Sequence, residues 1–443
     1  MTEDLLHDVI DAALKAGADA AEAVLANRQS LSVGVRLGEL EEVEREEARD
    51  LGLRVFIGQQ QATVSASDIS ATARAKLIER AVAMARLAPE DKFAGLAPKD
   101  RLAKGPYPDL ELFDPTEPAA DTLEAQARDA EAAARSIEGV TNSDGGSASW
   151  SATSWLFATS DGFLGRHQAS GFGLSASAIA GEGSGMERGG EGRSTRWRTD
   201  LPTPEAIGLE AGRRAVGRLG ARKIASTSAP VIFENRLAMS LISPLIGAIS
   251  GPSIARGTSF LKDKLGQAVF GAHITLAEDP HRVRGLGSSP FDDEGVANKA
   301  HDIIDKGVLT TWLLNSSSAR QLGLETTGHA SRGLAGPPGV APTNLTMQPG
   351  TRDLAGLMAD AKTGLLVTSM FGPSLNGNTG DWSVGVSGVW FENGEAAYPV
   401  TEITVAGNLI EIYKRLVVGS DLEIRGASNS PSILIDDLAI AGL

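Results

Sequence analysis

The side chains best suited to acid-base or metal chemistry are the histidines, of which the chain has six. They are His7, His167, His273, His281, His301 and His329. No two of them have the i, i+4 spacing of H-E-x-x-H, so the commonest zinc-protease motif is absent. Because the chain has no cysteine, disulfides and thiolate chemistry are excluded, and any metal would need histidine, aspartate or glutamate ligands.

One group of ligand-type residues is close together in the sequence, at His301, Asp302 and Asp305. The stretch from Ile303 to Leu309 has the pattern of a hairpin with its turn at residues 305–307, so these side chains would not share a helical face. We therefore favour a hairpin over a metal site on these three residues.

Asp292, Asp293 and Glu294 are three consecutive carboxylates, and paired carboxylates can perform acid-base catalysis when their pKa values differ. The side chains of neighbouring residues on an extended chain point to opposite sides, so the three carboxylates would not meet at one catalytic site. We therefore favour a loop that is held by hydrogen bonds from side chain to backbone. The glycine-rich stretch from Gly181 to Arg193 does not have the G-x-G-x-x-G spacing of a phosphate loop, and we predict a loop between strands there.

The pattern of apolar residues predicts an α+β protein of three units, with residues 1–95, 110–224 and 228–443. The first two are α/β meanders. The first has an amphipathic helix at its start, short strands with turns at Gly38, Gly52 and Gly58, and a helix over 69–88. The second begins with a helix over 118–138. A proline-rich connection separates them. The third unit is dense in strands, including Val308–Leu314 and a hairpin turn at Glu392–Glu395, which predicts a mostly antiparallel, barrel-like domain.

The charge balance limits the classes of partner. With 41 basic and 56 acidic residues the formal charge is −15, which argues against a large nucleic-acid surface. The basic cluster from Arg213 to Lys223 has helical spacing and is interpreted as a solvated helix face. The acidic start of the chain is unlike a signal peptide, and no apolar stretch is long enough for a bilayer, so we expect a cytoplasmic protein without membrane contact.

Several phrases of the C-terminal half, read in order, resemble the TldD/PmbA family, and phrases at Gly52 and Ser67 extend the likeness to the first unit. The C-terminal phrases are Phe291-Asp-Asp-Glu-Gly-Val, Lys306-Gly-Val-Leu-Thr, Ala319-Arg-Gln-Leu-Gly, Thr326-Thr-Gly-His-Ala, Asn344-Leu-Thr-Met-Gln-Pro-Gly, Thr379-Gly-Asp-Trp-Ser, Glu392-Asn-Gly-Glu and Glu402-Ile-Thr-Val-Ala-Gly-Asn-Leu. The likeness therefore covers nearly the whole chain.

In the TldD branch of that family, a helix after a strand like Val231–Phe233 carries H-E-x-x-x-H, which binds zinc. Here Ser243 and Ala248 stand at the positions of the two histidines, and Pro244 stands at the position of the glutamate. An alignment shifted by one residue places Ile242, Ser243 and Gly247 at these positions instead. The stretch 424–431, which resembles the segment with the zinc-binding cysteine, has no cysteine. The resemblance thus implies the PmbA/TldE branch, with no catalytic or metal-binding residue in this chain.

What the resemblance implies about function is a non-catalytic subunit of a heteromeric zinc metalloprotease. Zinc is expected in a TldD-like partner subunit, and the substrates are unfolded peptides that are degraded or trimmed. Candidate chamber-lining residues are His329, Arg332, Asn376 and Asp381, for which a structural hydrogen-bonding role is the alternative. A homodimeric peptide-binding or regulatory module without protease activity remains the alternative function, and an independent hydrolase using Asp292, Asp293 or Glu294 is the least favoured.

Overall fold

The computed structural model describes residues 2–443. Its helices are α1 (Thr2–Lys15), α2 (Ala71–Leu87), α3 (Ala120–Arg135), α4 (Pro204–Val216), α5 (Asn235–Ala248), α6 (Gly251–Ala255), α7 (Ser316–Leu322), α8 (Leu354–Ala361) and α9 (Leu409–Arg415). Among these described residues, no helix combines the length and apolar character needed to span a membrane.

The strands of the first half are long and those between residues 276 and 347 are short. They are β1 (Ala20–Arg36), β2 (Glu39–Ile57), β3 (Gln60–Ala66), β4 (Val140–Thr159), β5 (Leu164–Ala180), β6 (Glu187–Thr195), β7 (Thr227–Phe233), β8 (Leu276–Glu278), β9 (His301–Asp305), β10 (Val308–Leu309), β11 (Ala330–Ser331), β12 (Gly339–Val340), β13 (Leu345–Met347), β14 (Gly364–Leu375), β15 (Asp381–Glu392), β16 (Glu395–Asn408), β17 (Val417–Val418), β18 (Ser428–Asn429) and β19 (Ile433–Ala441).

The first half folds around one six-stranded antiparallel sheet with the order β3-β2-β1-β4-β5-β6. Strand β1 pairs with β2 on one side and with β4 on the other. The strands of the predicted N-terminal and central units therefore belong to a single sheet. Helices α1 and α2 pack on one part of it, and α3 and α4 pack on the other, each pair with its own apolar cluster.

The glycine-rich stretch was expected to be a loop, and this is wrong from Glu187 onward, where it forms the edge strand β6. The reason is close packing rather than turn formation. A Cβ atom at Gly189 would lie 2.1 Å from the backbone nitrogen of Ala215 in α4. Only glycine lets the helix approach this strand so closely.

The C-terminal half contains a closed barrel, as the barrel-like prediction expected. Strands β16, β15, β14, β7 and β19 follow one another around it, and pairing of β19 with β16 completes the circle. Within the barrel, only the β14–β7 pair is parallel. Closure removes free sheet edges, and the inward side chains form the largest apolar cluster of the described chain together with those of α5 and α9.

A second, five-stranded sheet in the order β10-β9-β8-β13-β18 lies beside the barrel. The predicted hairpin turn is confirmed, since Asp305 pairs with Val308 across Lys306 and Gly307. The strand predicted over Val308–Leu314 is confined to Val308–Leu309. The hairpin at Glu392–Glu395 is also confirmed, with Glu392 paired to Glu395.

Candidate functional site

Helix α5 follows directly after barrel strand β7 and turns its apolar face, with Leu241, Ile242 and Leu245, into the barrel core. Ser243 lies on its exposed side, where its hydroxyl donates to the carbonyl oxygen of Met239 at 2.9 Å. Pro244 lies inside the helix and Ala248 is buried. Neither an imidazole nor a carboxylate is present at these positions, so they offer no ordinary zinc ligand and no general base.

The first turns of α5 line a pocket of about 380 Å³ together with three other segments. They are the C-terminal stretch around β18, the edge strand β6 and helix α4. The lining residues are Gly190, Glu191, Gly192, Arg214, Asn235, Arg236, Met239, Glu423, Arg425, Gly426, Ser428 and Asn429. The helix and the C-terminal segment that resemble the two parts of the TldD zinc motif therefore meet at one pocket.

Arginine and glutamate side chains dominate this pocket. Glu191 is buried and its carboxylate contacts the guanidinium groups of Arg193, at 3.1 Å, Arg214 and Arg425. Glu423 joins the same group, 3.1 Å from Arg425. A buried carboxylate is stable only when its charge is paired and hydrogen-bonded, and the guanidinium groups meet this requirement for Glu191.

His329 and Arg332, two of the candidate chamber residues, are buried on either side of β11. The Nε2 atom of His329 lies 2.7 Å from Glu278 Oε2, and its Nδ1 atom lies 2.8 Å from the Thr327 hydroxyl. The guanidinium of Arg332 is fully buried and lies 2.5 Å from Glu22 of β1. It therefore joins the C-terminal half to the first sheet.

Of the other two candidates, Asn376 lies in the turn between β14 and β15, and Asp381 is the first residue of β15. Both are exposed. The carboxylate of Asp381 accepts hydrogen bonds from Asn408 at 2.9 Å and from the Thr379 hydroxyl at 2.7 Å, and these bonds lower its pKa. The residues that Asn376 and Asp381 bond are different from those that His329 and Arg332 bond, so these hydrogen bonds do not connect the two pairs of candidates.

The carboxylates of Asp292, Asp293 and Glu294 are held by backbone N–H groups, which confirms the favoured loop interpretation. Asp292 accepts from the N–H groups of Glu294, Val296 and Ala330 at 2.8–3.0 Å. Asp293 and Glu294 each accept one such bond at 2.8 Å. Burial, reinforced by the charge of Glu294, raises the pKa of Asp292 well above its ordinary value.

A group that the sequence did not reveal is formed by Glu278, His301 and His329, whose ligand atoms all lie within 4.8 Å of one another. Antiparallel pairing of β8 with β9 places Glu278 opposite His301. Burial opposes ionisation of Glu278, but the hydrogen bond and charge of His329 prevail and hold its pKa below the ordinary value. Asp302 and Asp305, the acidic neighbours of His301 in the sequence, are exposed and do not belong to the group, in agreement with the prediction that these three residues form no metal site together.

Three family models match the chain in order. They are PmbA/TldA metallopeptidase domain 1 over residues 21–85, the central domain over 113–219 and the C-terminal domain over 226–442.

Curated relatives match over nearly their full length. Metalloprotease PmbA of Escherichia coli O157:H7 is 38% identical over 443 residues, covering 99% of this chain and 96% of the relative. The Metalloprotease PmbA homolog of Haemophilus influenzae is also 38% identical, over 98% of this chain and 94% of the relative.

Solved structures share the fold. A candidate modulator of DNA gyrase from Bacteroides thetaiotaomicron has a TM-score of 0.92 at 28% identity, covering 100% of this chain and 99% of that one. TldE from Thermococcus kodakarensis has a TM-score of 0.88 at 21% identity, covering 99% and 100%. With the family matches along the whole chain and the substituted positions on α5, this chain belongs to the PmbA/TldD metallopeptidase family, as a member of its PmbA/TldE type.

Proposed function

We propose that this chain is the subunit without the zinc motif in a heteromeric zinc metalloprotease, and that it forms part of the chamber in which a TldD-like partner cleaves unfolded peptides. The zinc of the proteolytic centre resides in the partner. The cytoplasmic location expected from the sequence is part of the same proposal.

The observation that carries the proposal is the chemistry of α5. Its positions 243, 244 and 248 hold a hydroxyl, a pyrrolidine ring and a methyl group, and its neighbouring segment 424–431 has no thiol. The Ser243 hydroxyl is already bonded to a helix carbonyl. No activated water could be generated at this helix by its own side chains, because both the metal ligands and the base are missing.

Peptide binding through backbone hydrogen bonds is supported by an open sheet edge on β2. Strand β3 pairs only with residues 51–57 of β2, whereas residues 39–50 have no partner on that side within the described chain. An extended peptide could add there through backbone hydrogen bonds. The segment is rich in acidic residues, including Glu41, Glu42 and Glu44, which would favour basic peptides.

The opposite edge of the sheet, formed by β6, is less accessible to an added strand. The carbonyl oxygens of Arg188 and Gly190 in β6 already accept hydrogen bonds from Arg218 at 2.6 Å and Arg214 at 2.9 Å. Side chains that cover an edge in this way oppose strand addition. We therefore place the peptide at β2 rather than at β6.

The test is an assay of peptide cleavage by this chain alone, by a TldD-like partner alone and by the mixture. We expect cleavage only in the mixture and its loss on addition of a chelator. Cleavage by this chain alone that survives the chelator would contradict the proposal and favour an independent hydrolase. A stable homodimer that binds peptides but gives no activity with any partner would favour the homodimeric alternative.

A pair of variants locates the catalytic helix. Ser243→Ala should leave the activity of the mixture unchanged within about twofold, because the lost hydroxyl bonds only to the helix itself. Replacing a histidine of the partner's H-E-x-x-x-H helix should abolish activity. A large loss of activity from Ser243→Ala would contradict the assignment of a non-catalytic role to α5.

A further inference from the structure

Two imidazoles and one carboxylate converge at the junction of β8, β9 and the segment that precedes β11. The Nε2 atoms of His329 and His301 lie 2.7 Å and 3.6 Å from the same oxygen, Oε2 of Glu278. The two rings are 5.6 Å apart and nearly perpendicular. Both therefore present a nitrogen atom to one common point instead of stacking.

The outer ring atoms are held by other oxygens, as in established metal sites. The Nδ1 atom of His301 lies 3.2 Å from the carbonyl oxygen of Lys299, which can only accept, so this nitrogen is the donor. Neutral His301 then has its lone pair on Nε2, directed toward a carboxylate oxygen. Two lone pairs that face each other repel, and a cation between them would remove this repulsion.

The second carboxylate oxygen of Glu278 is held by Thr343. Its Oε1 atom accepts bonds from the backbone N–H of Thr343 at 2.5 Å and from the Thr343 hydroxyl at 2.9 Å. Thr327 holds His329 through Nδ1 and also lies 3.3 Å from the carbonyl oxygen of Leu314. Its hydroxyl can donate to that carbonyl while accepting from Nδ1–H, which frees Nε2 of His329 for a metal. Such outer contacts orient metal ligands and fix their tautomers.

We propose that Glu278, His301 and His329 form a binding site for one divalent transition-metal ion, with zinc the ion that suits this ligand set best. Two imidazoles with a carboxylate are a common zinc set, and bonds of about 2.0 Å in a tetrahedron separate ligand atoms by roughly 3.3 Å. The separation of 3.6 Å fits this requirement. The closer contact of 2.7 Å would have to open by about 0.6 Å when the metal replaces the shared proton.

The fourth position of the ion would be open to solvent. His301 is the exposed member of the group, with 24% of its side chain accessible, and it lines a pocket of about 580 Å³ with Asn298, Thr310 and Thr327. A water molecule or a ligand in that pocket could complete the coordination. The site is distinct from the degenerate motif on α5, and it departs from the sequence-based expectation that the chain holds no metal.

The experiment uses the full chain, stripped with a chelator and then titrated with Co²⁺ and with Zn²⁺. We expect visible absorption typical of tetrahedral Co²⁺ that saturates at one equivalent and is displaced by Zn²⁺. His301→Ala should weaken binding at least tenfold, and Glu278→Gln, which keeps the shape of the side chain, should do the same. His7→Ala removes an exposed histidine of α1 and should bind like the wild type.

Circular dichroism and thermal unfolding without metal would check that the variants are folded, and added Zn²⁺ should raise the unfolding midpoint of the wild type but not of His301→Ala. Lack of stoichiometric binding by the wild type would overturn the proposal whatever the variants do. Equal binding by folded His301→Ala or Glu278→Gln and by the wild type would also overturn it. The readout is metal binding, so the result is independent of whether the chain supports proteolysis in a mixture.

Discussion

At the scale of single residues, His167 is a half-buried histidine in β5 that faces the junction between the two halves of the molecule. Its Nδ1 atom is buried without a hydrogen-bond partner, and its ring packs edge-on against Phe291 at 6.0 Å. Burial, with a smaller effect from the charge of Arg196, lowers its pKa to about 4. The folded protein therefore keeps this ring neutral where an unfolded chain would protonate it.

This difference predicts a specific loss of stability in acid. The contribution of His167 is fully present above the unfolded pKa of 6.5 and is lost as the pH falls toward about 4, because the unfolded chain binds the proton first. The free energy of unfolding should decrease over that range by about 3 kcal/mol more in the wild type than in His167→Gln. Urea unfolding at a series of pH values measures this, and parallel pH profiles for the two proteins would contradict it.

The candidate site could be predicted only in part at this scale. His329 stands in a phrase that resembles the family, so sequence alone singled it out. Its partners Glu278 and His301 come from two other segments, and only the pairing of β8 with β9 and the bond from His329 to Glu278 bring them together. The one available signal was a histidine at the start of a predicted hairpin, and its sequence neighbours point into solvent.

At the scale of elements, the packing of α3 against α4 depends on glycine. A Cβ atom at Gly208 would lie 2.0 Å from the carbonyl oxygen of Ala130 in α3. Gly208→Ala should therefore force the helices apart and destabilise the protein by about 1–3 kcal/mol. Gly247→Ala in α5 is the matched control, since nothing lies within 4 Å of its Cβ position.

In that control, alanine should stabilise the helix by about 0.5–1 kcal/mol, because glycine loses more backbone freedom on folding. Thermal or urea unfolding of both variants gives the comparison. If both variants changed the stability by a similar amount in the same direction, the close approach of α3 and α4 would not be the cause of the change in Gly208→Ala.

Most elements were predictable where one local signal dominates. Helix α2 has apolar residues at helical spacing, with Leu77, Ile78 and Ala81 buried, and Ser70 caps its first turn. The hairpin at Asn393-Gly394 has positive φ angles at both residues, as its sequence indicates. The strand β6 was missed because its glycines serve contact with α4, a tertiary reason that a local pattern cannot reveal.

At the scale of the whole molecule, buried charges join the first sheet to the C-terminal half. Glu22 of β1 lies between Arg54 of β2, at 3.1 Å, and Arg332, at 2.5 Å, and all three side chains are almost fully buried. Arg320 of α7 donates to the carbonyl oxygen of Phe93 at 2.8 Å. A buried charge that loses its partner is strongly destabilising, so these contacts favour the observed arrangement of the two halves.

The shared sheet leads to a prediction about fragments. Sequence patterns placed residues 1–95 and 110–224 in separate units, but β1 needs β4 along its second edge, from Glu22 paired with Thr159 to Val35 paired with Gly146. Leu156 and Ala158 of β4 also belong to the apolar cluster under α1 and α2. A fragment of residues 1–95 would expose that edge and lose part of its core, so we expect it to aggregate or to unfold without cooperativity.

A fragment of residues 1–222 keeps all six strands and the four helices that cover them, and it should unfold cooperatively in urea. Its stability should be lower than that of the intact chain, because Glu22 and Arg54 lose Arg332 and the ring of Phe163 loses Phe291, 5.4 Å away. Far-ultraviolet circular dichroism during unfolding measures both fragments. Cooperative unfolding of residues 1–95 alone would show that β1 does not depend on β4, and that the first unit folds independently after all.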